Sequence, residues 1–420
     1  MTTRVLEAEV EFIDRRLVTP LVLSSGSITE VSEARVAVEV EAAGKTARGR
    51  GSIYLSDLWA WPDPALDHAQ KDAALRALCE QAARNLADWT GDPAHPLELG
   101  LRLHDHVCGD ETFGVPPLLA RAMAVSPFDA AIHDATGLAL ERSAFDFYRE
   151  DFTSAADSLF AGGSASRAIR DVLREPVTDL PAWYVVGKGD ALEDDLRPWI
   201  EDRGYRCFKL KIMGRDNAVD VARTVEVYRA ARGYGVAEPW LTIDSNEANP
   251  DADSVLDYLD RLQASDADAF AALKYIEQPT ARDIEETPFD WRAVTQHKPV
   301  LLDEGLTHPE LMPIARDQGW SGFALKTCKG HSFALVAAAW AHRNQMCLAL
   351  QDLTNPGFSL IHAALFAAHL PTINGVELNA AQFTPDANAE WLPRLAGLVA
   401  PRDGTHRLSG AVPYGLGSQL

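Results

Sequence analysis

Several short apolar runs in the second half of the chain end in a polar side chain that could take part in catalysis. In chain order, these polar residues are Lys209 and Lys211, Asp244 and Asn246, Glu277, Asp303 and Glu304, Lys326, Asp352, and Glu377 and Asn379. If the runs are parallel strands, their carboxyl ends meet at one mouth of the sheet. The sequence therefore predicts a single site rich in carboxylates and amines.

The carboxylates of Asp244, Glu277 and Asp303 end three successive runs and are expected to face one another. Left unpaired, they would carry a high cost of repulsion and desolvation, which a divalent cation would remove. An all-oxygen ligand set favours Mg²⁺, with Mn²⁺ as a substitute, over zinc, which usually recruits His or Cys. The alternative interpretation is that each carboxylate is an ordinary salt-bridge partner at a strand end.

The lysine side chains at the strand ends could act as the acid and the base beside such a cation. Lys209 and Lys211 alternate with apolar residues, which places both amines on one face of a strand. A lysine beside a metal and a second ammonium loses its proton more easily and can act as a general base. In an eight-stranded barrel, Lys326 lies roughly opposite Lys211, so the two amines could remove a proton from one face of a carbon and return it to the other. Lys209 is interpreted as balancing the acids around it.

The elements that must position these residues are strands alternating with helices. The interpreted strands are Trp183–Val186, Phe208–Met213, Trp240–Asp244, Leu273–Glu277, Val300–Asp303, Gly322–Lys326, Cys347–Asp352 and Gly375–Leu378. Each run is short and continuously apolar, as expected for strands buried on both faces. Eight such units separated by helical stretches predict a closed parallel barrel.

The first part of the chain has a different pattern. Val5–Ile13 and Ala34–Glu41 read as strands, and Asp67–Trp89 carries apolar residues at helical spacing. The predicted fold class is therefore α/β, with an N-terminal α+β capping domain over residues 1–125 and a modified (β/α)8, TIM-type barrel over 126–400. Residues 401–420 are expected to return to the capping domain.

Composition excludes several classes of protein. The net charge of −22 would be repelled by a nucleic-acid backbone or an anionic membrane, so neither is expected as a partner. Residues 1–20 lack the apolar core of a signal peptide, and the longest nearly apolar stretch is about half the length of a membrane span. Five cysteines without short-spaced pairs predict neither a zinc site nor a disulfide framework. We expect a cytoplasmic protein.

The order and spacing of these motifs resemble those of the enolase superfamily. The motifs are Lys209–Lys211, Asp244–Asn246, Glu277–Pro279, Asp303–Gly305 and Lys326. Within the superfamily, they are similar to the muconate lactonizing enzyme subgroup of the mandelate racemase/muconate lactonizing enzyme family, which also contains dipeptide epimerases and o-succinylbenzoate synthases. Thr19–Leu21 and then Ser24–Thr29 resemble its flexible capping loop. Pro127–Gly137 resembles the helix that opens its barrel, with His133 where Trp is more usual.

The resemblance implies a role for each matching residue. The residues that would bind Mg²⁺ are Asp244, Glu277 and Asp303. In the catalytic set, Lys211 and Lys326 would be the acid/base pair, and Lys209 would tune its neighbour electrostatically. Glu304 would contact or orient a catalytic lysine. The residues expected to support or bind the substrate are Asn246, Asp352, Asn355, Glu377, Asn379, Ser24 and Thr29. Such enzymes abstract the α-proton of a small carboxylate to give a metal-stabilised enediolate. The resemblance further implies an isomerase and a homo-oligomer.

The ends of the last two runs depart from the familiar pattern. The eighth run ends Glu377–Leu378–Asn379, whereas dipeptide epimerases usually show an Asp-x-Asp pair that holds the substrate ammonium. No histidine occurs in Leu348–Gly357, which counts against the acid-sugar dehydratases. Racemisation or epimerisation, cycloisomerisation and a syn-dehydratase (lyase) reaction of the o-succinylbenzoate synthase type all remain open. So does a catalytically silent carboxylate-binding barrel, while a phosphate-handling barrel would need a Gly-rich loop that is lacking here.

Overall fold

Two sheets organise the chain, a small antiparallel one at the amino terminus and a curled parallel one after it. The computed structural model describes residues 1–23, 26–109, 115–354, 357–408 and 413–419. The first sheet has the order β1-β2-β3, with strands β1 (Thr3–Leu23), β2 (Gly26–Ala42) and β3 (Lys45–Tyr54). Alternate residues of β2 are buried, which is the period expected of a sheet with one covered face.

The hairpin of β1 and β2 is much longer than the two strands predicted from sequence. Its outer part contains an irregularity, because the register of pairing shifts between Arg16 and Leu21. Pro20 lies in this interval, and a residue without an N–H group is tolerated where ladder pairing is interrupted. Pairing resumes from Leu21 to Leu23, so the described residues of the predicted capping loop lie in β1 and β2.

Helices cover the first sheet and then alternate with the strands of the second. They are α1 (Asp57–Ala60), α2 (His68–Thr90), α3 (Pro96–Gly109), α4 (Leu118–Leu140), α5 (Ala144–Phe147), α6 (Ala165–Val172), α7 (Arg197–Glu201), α8 (Asn217–Gly233), α9 (Ala252–Ser265), α10 (Ala267–Ala272), α11 (Arg292–Thr295), α12 (Leu311–Asp317), α13 (His331–Arg343), α14 (Gly357–His369), α15 (Ala380–Phe383) and α16 (Ala396–Val399). Every helix of the described residues is too short or too polar to span a lipid bilayer.

The second sheet forms the wall of the barrel. A short strand, β4 (Asp179–Pro181), precedes it and pairs with β12 (Thr405–Arg407). The seven parallel strands between these two are β5 (Trp183–Val186), β6 (Cys207–Lys211), β7 (Trp240–Asp244), β8 (Leu273–Glu277), β9 (Val300–Leu302), β10 (Gly322–Lys326) and β11 (Cys347–Gln351). They neighbour one another in chain order, as the predicted TIM-type barrel requires.

The prediction of an eighth regular strand at Gly375–Leu378 was wrong. Among the described residues, this run makes only an isolated bridge from Glu377 to Gln351. On each side of this run, a side-chain amide forms the hydrogen bonds that a regular eighth strand would have formed with its neighbour. The Asn374 amide bonds both backbone groups of Leu350 at 2.9 and 3.0 Å, and the Gln382 amide bonds both backbone groups of Val185 at 2.8 and 3.0 Å.

The two sheets meet at helix α4, which contains the predicted boundary at residue 125. Two glycines of β3 let the strand touch this helix directly. A Cβ atom on Gly49 would lie 2.2 Å from Ala135 N, and one on Gly51 would lie 2.1 Å from Pro127 O.

The C-terminal segment also reaches α4, where Leu416 N donates to Asp134 Oδ1 at 2.8 Å. Helix α4 is therefore the common support of the cap, the barrel and the chain end.

The amide closure of the barrel can be tested with Gln382→Leu, a change of similar side-chain volume. We expect the free energy of unfolding to fall by about 1–3 kcal/mol, because the buried N–H and C=O groups of Val185 lose their partners. Urea unfolding followed by circular dichroism measures this change. The matched control is Gln81→Leu on the exposed face of α2, where a change within about 0.5 kcal/mol is expected. Equal effects of the two substitutions would contradict the role of Gln382.

Candidate active site at the barrel mouth

Consecutive strand ends carry the predicted acids and amines into one buried region. Period-2 alternation in β6 places Lys209 and Lys211 on the inner side, and both line the same cavity. Asp244, Glu277 and Lys326 are the last residues of β7, β8 and β10. All five residues are at least 93% buried, as is Asp303, which directly follows β9.

Lys209 lies among three carboxylates. Its Nζ atom is 2.8 Å from Glu277 Oε1, 3.3 Å from Asp244 Oδ2 and 3.4 Å from Glu377 Oε2. Burial opposes the charge of this ammonium, but the neighbouring acids, Glu277 first, outweigh it and raise the pKa of Lys209 well above its ordinary value. Lys209 is therefore held as an ammonium among the acids.

Lys211 and Lys326 are bound to different acids. Lys211 Nζ donates to Asp244 Oδ2 at 2.5 Å and to Asn246 Oδ1 at 3.1 Å. Lys326 Nζ donates to Asp303 Oδ2 and lies 3.9 Å from Glu277 Oε1. Both lysines line the central cavity. The two amines thus approach one space from separate strand ends.

The acids respond to this environment in opposite directions. Burial would raise the pKa of Asp244, but Lys211 and Lys209 outweigh it and lower the value to about 2. Lys326 and Lys329 likewise lower the pKa of buried Asp303. Burial dominates at Glu277, whose pKa is raised to about 8 against the opposing effect of Lys209. The cluster therefore combines fixed anions at Asp244 and Asp303 with a carboxyl group, Glu277, that binds a proton more readily than an ordinary glutamate.

Apolar residues of the cap cover this polar floor. The central cavity has a volume of about 60 Å³. The residues that the hairpin contributes to its lining are Leu17, Leu21, Leu23, Ile28 and Val31. Such a roof excludes water and strengthens every electrostatic interaction beneath it.

A group of hydrogen-bond acceptors forms one wall of the cavity. Asn379 Nδ2 donates to Glu377 Oε1 at 2.7 Å, and Asp352 Oδ1 accepts from Thr354 N at 2.9 Å. Within the described part of the chain, Asp352 Oδ2 and Asn379 Oδ1 accept no hydrogen bond. Burial, and then the charge of Glu377, raises the pKa of Asp352 to about 8. Asp352 is therefore largely protonated near neutral pH, and the wall can both donate to a ligand and, through Asn379 Oδ1, accept from it.

Glu304 acts on Lys326 through an aromatic ring. Glu304 Oε1 accepts from Trp59 Nε1 at 2.9 Å, and the Nζ atom of Lys326 lies 4.8 Å from the centre of the Trp59 ring. A cation over an indole face is stabilised by the ring quadrupole. Sequence reasoning missed Trp59, since it lies in a Pro-rich stretch far from every barrel strand.

Lys329 is a second residue that sequence reasoning missed. Its Nζ atom is 3.0 Å from Asp303 Oδ1 and also donates to the backbone oxygen of Asp303. The only sequence signal was its spacing of three residues from Lys326 along the turn after β10. Lys329 fixes the carboxylate that holds Lys326.

Three predicted substrate contacts lie elsewhere or outside the described residues. Thr29 is exposed on β2, while the neighbouring Ile28 lines the cavity. Ser24 and Asn355 fall outside the described residues. The hairpin of β1 and β2 therefore contributes apolar groups to the described lining, while the hydroxyl residues that the cap contributes there are Tyr54 and Ser56.

The acids fit a hard divalent cation by their chemistry. Among the described residues, no His, Cys, Asp and Glu side chains converge as a ready ligand cluster, since ammonium groups lie between the acids. Lys209 bridges Asp244 and Glu277, and Lys326 bridges Glu277 and Asp303, so a positive charge is already stabilised between each neighbouring pair. Three buried carboxylates are the ligand type that Mg²⁺ prefers. These observations fit the predicted metal site.

The raised pKa values predict the pH dependence of stability in the presence of EDTA. Glu277, Glu304 and Asp352 bind protons more tightly in the folded protein, with pKa values of about 8, 7 and 8. Their contribution to stability is complete below about pH 4 and is lost as the pH rises through 7 to 8. We expect the free energy of unfolding to fall between pH 6 and pH 9, by about 1 kcal/mol or more.

Urea unfolding at several pH values measures this slope. The matched variant Glu277→Gln is expected to have a smaller slope, because one titrating group has been removed. A free energy of unfolding that rises over the same pH interval in both proteins would contradict the assignment of the raised pKa values.

Comparison with known proteins places these features in a family. A family model described as enolase C-terminal domain-like matches residues 191–417. Muconate cycloisomerase 1 of Rhodococcus opacus is 25% identical over 331 residues, which cover 77% of this chain and 73% of that protein.

Solved structures share the complete fold. The muconate lactonizing enzyme from Pseudomonas fluorescens, complexed with muconolactone, has a TM-score of 0.68 at 20% identity and covers 99% of this chain and 96% of its own. The dipeptide epimerase from Enterococcus faecalis, complexed with Mg and the dipeptide L-Leu-L-Tyr, has a TM-score of 0.66 at 14% identity, with 99% of both chains covered. The family model spans more than half of the chain and includes every strand end from Lys209 to Glu377. The chain therefore belongs to the enolase C-terminal domain-like family, as its resemblance to the enolase superfamily predicted.

Proposed function

We propose that the protein is an Mg²⁺-dependent isomerase that removes the α-proton of a small carboxylate substrate. The resulting carbanion is then either reprotonated, which gives racemisation or epimerisation, or expels an internal β-oxygen, which is the ring-opening direction of a cycloisomerisation. The observation that carries this proposal is the pair of amines, Lys211 and Lys326, that line one cavity from different strand ends. Pure binding of a carboxylate does not need a base on each side of the bound carbon. Muconate cycloisomerase and dipeptide epimerase relatives support an isomerase.

The contacts of each residue at the barrel mouth support a separate role for the acids and for the amines. Asp244, Glu277 and Asp303 would hold Mg²⁺, and the bound ion would supply Lewis-acid stabilisation of the charge that develops on the substrate carboxylate. Lys211 and Lys326 would face the α-carbon, one as the neutral base and the other as the ammonium that donates a proton. Such groups raise turnover when they stabilise the transition state more than the ground state.

Other residues keep this pair in position. Asn246 and Asp244 hold Lys211, while Asp303 and the Trp59 ring hold Lys326. The apolar hairpin residues exclude water, which protects the amines from exchange with bulk solvent during the reaction. The acceptor wall of Asp352 and Asn379 would orient the substituent on the α-carbon.

Hydrogen exchange in D₂O tests the first chemical step. We expect Mg²⁺-loaded protein to deuterate the α-carbon of at least one acid in a panel of α-substituted carboxylic acids that includes muconolactone and L-Leu-L-Tyr. NMR measures the loss of the α-proton signal, and EDTA is expected to stop the exchange until Mg²⁺ is restored. The absence of exchange with every acid, in protein shown to bind Mg²⁺, would overturn the proposed function.

The two amines can be separated by using both enantiomers of an exchanging acid. We expect Lys211→Met to slow exchange of one enantiomer about 10²–10⁴-fold and Lys326→Met to slow exchange of the other, because each amine serves one face of the α-carbon. Lys45→Met, at an exposed ion pair with Glu141, is the matched control and is expected to exchange both enantiomers at the wild-type rate. Equal loss of both enantiomers in only one variant would point to a single base instead.

A further inference from the structure

Helix α13 begins directly after the turn that follows Lys326. Lys326 ends β10, and the turn Thr327–Lys329 leads to Gly330, the residue before the helix. Gly330 has no side chain with which to cap the helix, and its φ of +109° is a conformation that favours glycine. The first N–H groups of α13 therefore need acceptors from elsewhere in the fold.

Asp129 of α4 supplies an acceptor for this end of the helix. Ser332 N donates to Asp129 Oδ2 at 2.8 Å, and Ser332 Oγ donates to Asp129 Oδ1 at 2.7 Å. Asp129 is only 3% exposed and Ser332 is fully buried, so bulk water does not compete for these hydrogen bonds. The dipole of α13 also stabilises a carboxylate at its N-terminus. Asp129 thus binds the first turn of the helix that follows Lys326.

A chain of hydrogen bonds supports this carboxylate. His133 Nε2 lies 2.8 Å from Ser332 Oγ and 3.3 Å from Asp129 Oδ1. Tyr148 Oη lies 2.7 Å from His133 Nδ1 and 3.0 Å from His331 Nε2. The hydroxyl proton of Ser332 is donated to Asp129, so His133 must donate from Nε2 and accept at Nδ1. Burial would raise the pKa of Asp129, but the hydrogen bond from His133 outweighs it and lowers the value, which keeps Asp129 ionised.

Helix α3 packs against the same pair of side chains. A Cβ atom on Gly100 would lie 1.9 Å from Asp129 Oδ1 and 2.2 Å from Ser332 Oγ, so a glycine is needed at this position. One turn further along α3, His104 Nε2 lies 2.9 Å from Thr307 O, in the loop after β9. Helices α3 and α4 therefore hold both the chain after β9 and the chain after β10.

These two segments of chain carry an acid and amines that bind each other at the barrel mouth. Lys326 Nζ donates to Asp303 Oδ2, and Lys329 Nζ lies 3.0 Å from Asp303 Oδ1. A shift of the turn Thr327–Lys329 would move both ammonium groups relative to this carboxylate. Misplacement of a reacting group by about 1 Å can cost about 10²-fold in rate.

We propose that Asp129 is a positioning residue for Lys326. Its carboxylate binds the first turn of α13 and so fixes the turn Thr327–Lys329, which orients the Lys326 amine toward the central cavity. Asp129 is absent from the described lining of that cavity, so it acts through the turn rather than on a substrate. The inference rests on the proposed function, because its effect on catalysis requires that Lys326 serve one face of the α-carbon.

Backbone amide exchange, measured by mass spectrometry on the Mg²⁺-loaded protein without substrate, tests the link between Asp129 and the turn. In Asp129→Ala, we expect peptides that cover residues 327–334 to exchange at least about fivefold faster, because the helix loses its N-terminal acceptor. Asp129→Asn keeps an oxygen that can accept from Ser332 N and is expected to restore most of the protection.

The matched control is Asp134→Ala. Asp134 is a buried aspartate on the same helix, but its carboxylate accepts from Leu416 N and Arg50 N instead. We expect the peptides that cover residues 327–334 to exchange at the wild-type rate in this variant. Unchanged exchange of these peptides in Asp129→Ala would overturn the positioning role.

The α-proton exchange assay in D₂O tests the consequence for catalysis. We expect Asp129→Ala to slow exchange of the enantiomer that Lys326 serves about 10–10²-fold, and exchange of the other enantiomer by less than about twofold. Gly100→Ala, which removes no hydrogen-bonding group, is expected to have the same selective effect because its Cβ atom displaces the pair of Asp129 and Ser332. Asp129→Asn is expected to recover most of the rate, and Asp134→Ala to keep the wild-type ratio of the two rates.

A merely structural role would have a different signature. General loss of the fold would slow both enantiomers alike, so an equal loss in Asp129→Ala would overturn the positioning of Lys326. If no acid exchanges with the wild-type protein, the proposed function fails on its own. Faster backbone exchange at residues 327–334 would then still support the link of Asp129 to the turn, and unchanged exchange would overturn it.

Discussion

The mutual burial of lysines and carboxylates at the strand ends is the constraint on which the rest of the structure depends. Neither partner is stable there alone, because a single charge withdrawn from water costs several kcal/mol. Lys209 contacts acids from two neighbouring strands and from Glu377, so the polar floor ties distant parts of the barrel wall together. Removing one charge leaves others without compensation, and the site therefore behaves as one unit.

Most barrel strands could be predicted from the sequence, because strands that are buried on both faces form continuous apolar runs. The strands Trp240–Asp244, Leu273–Glu277 and Gly322–Lys326 have the bounds expected from their apolar runs, because each ends where a charged side chain enters the mouth. Gly375–Leu378 has the same composition but does not extend into a strand ladder. Its place is closed by the amides of Asn374 and Gln382, and hydrophobic patterning carries no information about such side-chain pairing.

From the sequence, site residues could be predicted only where a reactive side chain lies in a barrel strand or directly follows one. Alternation placed Lys209 and Lys211 on one face, and both line the central cavity. Trp59 was not predicted, because its position depends on how the cap meets the barrel mouth rather than on local pattern. Lys329 carried a weak signal in its spacing from Lys326. Residues that act through another side chain are thus the ones that tertiary packing alone reveals.

The backbone contact between β3 and α4 has a consequence for how the cap can move or be exchanged. Gly49 and Gly51 have no side chain to separate the backbone of β3 from that of α4. The strand therefore cannot slide along this helix without a collision between backbone atoms. An engineer who wished to graft a foreign cap onto this barrel would have to transplant β3 and α4 together, as a single matched joint.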